Sequence, residues 1–143
     1  MPKPFTENER QEFLAGKRVA TLSVAATDGR PPAAFPVWYD YTPGGNIVIN
    51  TGNERRKARL IRAAGAVSLV VQRDELPYQY VIVEGTVVDA VTPSPRAARE
   101  AIAVRYLGPE GGRAFADRMD GTTSILFTIR PDRWITQNYE GDL

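Results

Sequence analysis

Turn-forming residues punctuate this chain at short intervals, so most of its apolar runs have the length of strands rather than helices. An alternating run at 18–25 is followed by Asp28-Gly29, one of the strongest short signals for a hairpin turn. A second run at 33–41 precedes the Gly-rich turn 43–46, and a third run follows at 46–51. The pattern predicts three strands joined by two tight turns, an antiparallel meander.

The rest of the chain adds more strands and a few helices. Thr6 with Glu9 three residues later has the pattern of a capping box, which predicts a helix at 6–15. Gly85, inside an otherwise strand-like run, indicates a bulge or a sharp bend. Further helices are predicted at 54–64, 95–106 and 111–119, and further strands at 66–72, 78–91, 122–129 and 133–138.

The order of these elements predicts the fold class. The strands do not alternate regularly with helices, which disfavours a doubly wound parallel sheet. Six or seven mostly antiparallel strands with short turns favour a closed or nearly closed barrel with peripheral helices, a mainly β fold. The length of 143 residues suits one domain, so we expect residues 1–143 to form a single unit.

Composition excludes several kinds of chemistry. The chain has no His and no Cys, so neither a Ser-His-Asp nor a Cys-His catalytic device can be built, and no metal site is expected. The net charge of +1 gives no sign of a nucleic-acid partner, and no apolar run approaches the roughly 18 residues of a membrane span. Without cysteines, a cytoplasmic location is the default expectation. An enzyme with this composition often takes its chemistry from an organic cofactor.

The densest signal is a basic cluster where the third strand ends and a helix begins. Positive side chains are disfavoured at a helix N-terminus, and a bound anion would offset that cost through charge-assisted hydrogen bonds. A solvated basic face is an equally good interpretation from local sequence alone. The polar residues of this segment that we single out are Asn50, Thr51, Arg55, Arg56, Lys57 and Arg59.

Two aromatic segments are further candidates. Pro36-Val37-Trp38 lies in the second predicted strand, and because proline cannot donate to a ladder, backbone left unpaired there can bind the edge of a planar heterocycle. Tyr78 and Tyr80 share one face of a later strand. For all these aromatic residues, packing in a core or at an interface is the alternative interpretation.

These segments, in this order, resemble the flavin-binding split β-barrel proteins related to pyridoxamine 5'-phosphate oxidase. The most specific motif is R-x-K-x-R, here Arg55, Lys57 and Arg59, just after a strand that ends in Asn-Thr-Gly. In the small branch that looks most similar, this motif implies the deazaflavin coenzyme F420. Other branches use FMN, and some members bind haem or other tetrapyrroles.

The resemblance also implies an assembly and a site. Two split barrels would form a homodimer with cofactor sites in the grooves between the subunits. Arg55, Lys57 and Thr51 would hold the cofactor phosphate, with Arg56 and Arg59 nearby, and the 36–38 backbone would lie along the ring system. Residues that would close the pocket from the partner chain are Tyr78, Tyr80 or Trp134.

The function expected from this resemblance is an F420-dependent reductase that transfers hydride to an unknown organic acceptor. An FMN-dependent oxidoreductase and a non-catalytic cofactor or tetrapyrrole carrier are the alternatives. The pyridoxamine phosphate oxidases themselves have a C-terminal substrate-binding segment containing a His, and this chain has no His, so vitamin B6 oxidation is not expected. No catalytic residue is assigned.

Overall fold

The computed structural model describes residues 1–142, which form seven strands and three helices. In chain order these are α1 (Glu7–Ala15), β1 (Ala20–Val24), β2 (Ala33–Val37), β3 (Asp40–Tyr41), β4 (Ile47–Gly52), α2 (Arg56–Ala64), β5 (Ala66–Gln72), β6 (Gln79–Val91), α3 (Arg96–Met119) and β7 (Ser124–Asn138).

All seven strands belong to one sheet, in the order β2-β1-β5-β6-β7-β4-β3, and every pairing between neighbours is antiparallel. The sheet curls into a half-barrel, which confirms the predicted mainly β fold with peripheral helices. Its concave face carries alternate apolar residues of each strand, such as Val67, Leu69 and Val71 of β5, all buried. Ile61 of α2 is also fully buried in this core.

The predicted meander is wrong, because the run at 33–41 is two strands rather than one. Its first part, β2, pairs with β1, and its last part, β3, pairs with β4 at the opposite edge of the sheet. Trp38 and Tyr39 cross between the two edges without belonging to a strand. Because Tyr39 belongs to no strand, its backbone amide donates to a side chain, Tyr106 Oη, at 3.2 Å. The Tyr39 hydroxyl donates to the Leu14 carbonyl at 2.6 Å. The crossover is therefore fixed by side chains.

Of two other predicted pairs of elements, the strands are continuous and the helices are separated by a sharp bend. The strands predicted at 122–129 and 133–138 form the single long β7. The helices predicted at 95–106 and 111–119 are the two arms of α3, which bends at Gly108 (φ 82°), directly before Pro109. The arms approach closely at Gly112, where an added Cβ would lie 2.5 Å from the Val104 backbone. The bend lets α3 fold back on itself as a helical hairpin.

Among residues 1–142, no helix is both long and apolar enough to cross a membrane. The same residues contain no group of acidic side chains arranged to hold a metal ion.

The bulge predicted at Gly85 is present and gives a first test of the fold. The register between β6 and β7 shifts at Glu84 and Gly85, and a Cβ at Gly85 would meet Ile129 Cγ2 at 2.5 Å and the Arg130 carbonyl at 2.8 Å. Because that carbonyl is backbone and cannot swing away, we expect Gly85→Ala to lower the free energy of unfolding in urea by about 2–3 kcal/mol.

Gly111→Ala is the matched control for that measurement. Its Cβ would meet only Leu107 Cβ at 3.3 Å, and alanine favours a helix over glycine, so its stability should stay within about 1 kcal/mol of the parent. A Gly85→Ala protein as stable as the Gly111→Ala protein would show that the bulge does not require glycine.

Candidate functional site

A cleft of about 430 Å³ lies between α3, the crossover and the end of β4. It is bounded by the last residues of β2, by the first turn of α2 and by both arms of α3. Its lining residues include Phe35, Pro36, Val37, Trp38, Asn50, Thr51, Arg55, Lys57, Arg99, Ile102, Phe115 and Met119. Seven of the twelve candidate residues named from the sequence thus border one cavity.

Trp38 forms a rigid aromatic wall of this cleft. Its ring stacks on Tyr106 with the centroids 4.8 Å apart and the planes at 11°, and it lies 5.9 Å from Phe115. Tyr106 is itself held by its hydroxyl, which donates to the Arg18 carbonyl at 2.7 Å. A wall fixed in this way is suited to packing against a flat ring.

One end of the cleft carries cations without acidic partners. Arg55 is the N-cap of α2 but makes no side-chain capping bond, and no acidic residue lies in the first turn of that helix. Lys57 Nζ lies 5.0 Å from the centroid of the Phe35 ring, and burial, with a smaller effect of Arg55, lowers the pKa of its ammonium group. Within residues 1–142 neither side chain has an ion-pair partner. An anion bound here would relieve both the repulsion and the desolvation.

The neighbouring arginines are engaged elsewhere and do not line the cleft. Arg56 pairs with Asp28 at 3.4 Å and borders an open depression next to the cleft. Arg59 Nη1 donates to the Glu54 carbonyl at 3.0 Å. Helix α2 begins at Arg56 rather than at the predicted position 54, and Arg55 is its N-cap.

Asn50 and Thr51 lie side by side near the end of β4, and both border the cleft. Asn50 Oδ1 is buried and accepts no hydrogen bond from any described residue. An unsatisfied buried oxygen is costly, and a ligand N–H that reached it would remove that cost.

The aromatic residues predicted to close the pocket lie elsewhere in the same chain. Tyr78 packs edge-on against Tyr80 and Tyr139, with centroids 6.3 Å and 5.8 Å away, at the start of β6. Trp134 packs against Tyr41 and Arg10 beside the main core. None of the three borders the cleft of its own chain.

The α3 side of the cleft was missed by sequence reasoning. Arg99, Ile102 and Phe115 all belong to helices that the sequence predicted correctly. Their apolar faces gave no sign that they would lie over β4, because that packing joins segments about 50 residues apart.

Comparison with known proteins identifies the family. The sequence profile of the pyridoxamine 5'-phosphate oxidase family matches residues 6–138. The chain belongs to this family. No curated protein sequence matches it significantly.

Solved structures of similar fold are numerous. One, described as an F420 reductase, is 26% identical, covers 87% of this chain and 94% of its own, and has a TM-score of 0.70. A conserved hypothetical protein from Mycobacterium tuberculosis is 22% identical, with coverage of 94% and 86% and a TM-score of 0.74. An FAD-binding protein from Mesorhizobium loti is 18% identical, with coverage of 96% of both chains and a TM-score of 0.65.

The cleft of this family member fits a flavin-type molecule. A flat ring system would pack against Trp38 and the apolar side chains of α3, and a phosphate would be held by Arg55 and Lys57. The unsatisfied Asn50 oxygen would accept from a ring N–H of a flavin or deazaflavin that reached it. A non-polar slot with a few polar groups is the usual form of a cofactor site.

The crossover that carries the Trp38 wall can be tested through Tyr39. Burial raises the pKa of its phenol to about 12, whereas an exposed tyrosine ionises near about 10. The folded chain holds that proton more tightly, so the resulting stability is complete below about pH 10 and is lost as the pH rises towards 12. At pH 8, Tyr39→Phe should cost about 1–3 kcal/mol, because the Leu14 carbonyl loses its short bond from the phenol and keeps only the longer one from Arg105 Nη2 at 3.2 Å.

The measurement is urea unfolding of both proteins between pH 8 and pH 11.5. We expect the advantage of the parent over Tyr39→Phe to stay constant to about pH 9.5 and then to shrink, since phenylalanine does not titrate. A constant difference over the whole range would mean that Tyr39 is not buried as described.

Proposed function

We propose that this protein is an F420-dependent reductase, which passes hydride from the reduced deazaflavin to an organic acceptor. The observation that carries the proposal is the pairing of an aromatic-walled cleft with Arg55 and Lys57, two cations that lack acidic partners within residues 1–142. The membership of the family and the likeness to a described F420 reductase support it.

The residues of the chain act by binding, orienting and excluding water. Arg55 and Lys57 hold the phosphate, which fixes the position of the ligand along the cleft. Trp38 with Phe115 supports one face of a flat ring and keeps water from it. Hydride transfer is the chemistry that a bound deazaflavin supplies. Because no His or Cys is available, positioning is the main contribution we assign to the protein.

A depression beside the cleft favours F420 over FMN. Arg30, Arg55, Arg56 and Lys57 border it, and it shares Phe35 with the cleft, so it continues the surface on the far side of the proposed phosphate site. FMN ends at its phosphate, whereas F420 continues into an acidic tail that this basic surface suits.

Two alternatives use the same cleft. An FMN-dependent oxidoreductase needs only the ring wall and the phosphate site. A non-catalytic carrier of a cofactor or tetrapyrrole needs tight binding alone, and the absence of an assigned proton donor is compatible with it. Turnover of a reduced cofactor in the presence of an added acceptor separates the carrier from both enzymes.

The first test is a fluorescence titration of the purified protein with F420 and, separately, with FMN. We expect micromolar F420 binding with weaker FMN binding. Lys57→Ala should raise the dissociation constant about tenfold or more, because it removes a charge-assisted contact to phosphate. Arg59→Ala is the control, since its guanidinium donates to the Glu54 carbonyl and does not line the cleft.

The outcomes distinguish the hypotheses. Equal losses in Lys57→Ala and Arg59→Ala would mean diffuse surface charge rather than a defined site. Tighter binding of FMN than of F420 would support the FMN-dependent oxidoreductase instead. No binding of either cofactor would contradict the proposal.

We also propose a homodimer that borders the cofactor site. On the convex face of the sheet, Val70, Ile82 and Ile135 lie in register across β5, β6 and β7, and Ile135 is 41% exposed. Thr21 of β1 continues the row, and it shares a shallow depression with Val19, which also lines the cleft. A second copy covering this row would therefore lie next to the cleft.

Light scattering in solution tests the assembly. We expect a mass of about twice the 15.8 kDa of the chain. Ile135→Glu should give the monomer, because a charge would be buried without a partner, and should weaken F420 binding as well. Val88→Glu is the control, since Val88 is also exposed, at 45%, but lies outside the apolar row. A monomeric parent protein would contradict the proposal.

A further inference from the structure

Arg99 of α3 is the third cation of the cleft, and sequence reasoning gave it no role. Its side chain is only 14% exposed, yet its Nη1 is buried without an acceptor in residues 1–142. It lines the cleft together with Arg55 and Lys57, and no acidic residue lines it. A buried guanidinium nitrogen without an acceptor is costly unless a ligand supplies one.

The opposite side of the guanidinium is held in place. Arg99 Nη2 donates to Asp120 Oδ1 at 3.1 Å, and Asp120 also pairs with Arg96. With Nη2 fixed at the end of α3, Nη1 is the part of the group left for another partner. Rigid placement of this kind lowers the entropy lost on binding.

Arg99 also belongs to the same end of the cleft as α2. Directly before α3, the Ser94 amide donates to the Ser124 carbonyl at 3.0 Å, and Ser124 pairs with Gly52 at the end of β4. The Arg55 amide donates to the Gly52 carbonyl at 3.2 Å. The first turns of α2 and α3 are thus both anchored at the junction of Gly52 with Ser124.

We propose that Arg99 binds the phosphate-ester end of the ligand, across the cleft from Arg55 and Lys57. The inference rests on the proposed function and deepens it by adding a residue from a different element. Three cations suit a phosphate dianion better than the two residues of the R-x-K-x-R motif that line the cleft, Arg55 and Lys57. A phosphate bridging α2 and α3 would also tie the helical hairpin to the sheet.

Inorganic phosphate is the first probe, because it tests the anion site without any contact from a ring system. We expect phosphate to raise the melting temperature of the parent protein above that in chloride of the same ionic strength. Arg99→Gln should remove most of this gain. Arg96→Gln is the matched control, because Arg96 shares Asp120 but does not line the cleft, and it should keep the gain. A gain that survives in Arg99→Gln overturns the inference.

The second probe compares each phosphorylated cofactor with its dephosphorylated form. The pairs are FMN with riboflavin and F420 with its ring and ribityl core. Arg99→Gln should weaken binding of the phosphorylated member about tenfold or more and leave the other within twofold. Equal losses for both members would mean that Arg99 acts on the ring or on folding, which overturns the inference.

The two probes together separate this inference from the proposed function. If neither cofactor binds the parent protein while phosphate stabilises it through Arg99, the redox function fails and the anion site stands. If the cofactors bind and their phosphate preference does not depend on Arg99, the function stands and the inference fails.

Discussion

The crossover at Trp38 and Tyr39 is the constraint on which both the fold and the cleft depend. It joins the two edges of the curled sheet, and its two residues have different contacts. Tyr39 points into the core and donates to the Leu14 carbonyl, while Trp38 stacks on Tyr106 and faces the cleft. Tyr106 accepts from the Tyr39 amide, so one tyrosine supports both residues. Loosening the crossover would therefore disturb the core and the aromatic wall of the cleft together.

The positions of the cations at the cleft lower the stability of the protein without a ligand. Lys57 is partly desolvated beside Arg55, which lowers its pKa, and both side chains belong to the end of α2 where the helix dipole disfavours cations. Other cations nearby have partners. Arg56 forms an ion pair with Asp28, and Arg59 donates to the backbone carbonyl of Glu54. The unfavourable placement is confined to residues that line the cleft, which is typical of a binding site rather than of a solvated face.

The elements set by local sequence could be predicted, and those set by distant partners could not. The capping box of Thr6 with Glu9 and the end of α2 at Gly65 follow from neighbouring residues, and both are present. The prediction of a meander was wrong because strand pairing depends on distant partners. The run at 33–41 has the pattern of one strand, yet the burial of Tyr39 divides it between two edges of the sheet. In the site, the R-x-K-x-R motif could be recognised from the sequence. The position of Arg99 beside the cleft could not, because it depends on how α3 packs over β4.

The same division explains how one fold can serve several cofactors. The ring wall is made by the crossover and α3, which the fold needs in any case, so it carries little information about which flat molecule is bound. Selectivity depends on the polar groups that remain unsatisfied, which here are the cations of α2, Arg99 and the Asn50 oxygen. A substitution that gave Arg55 or Lys57 an acidic partner should alter the choice of ligand without altering the sheet. We therefore expect the choice of ligand to depend on a few side chains at the ends of helices and strands.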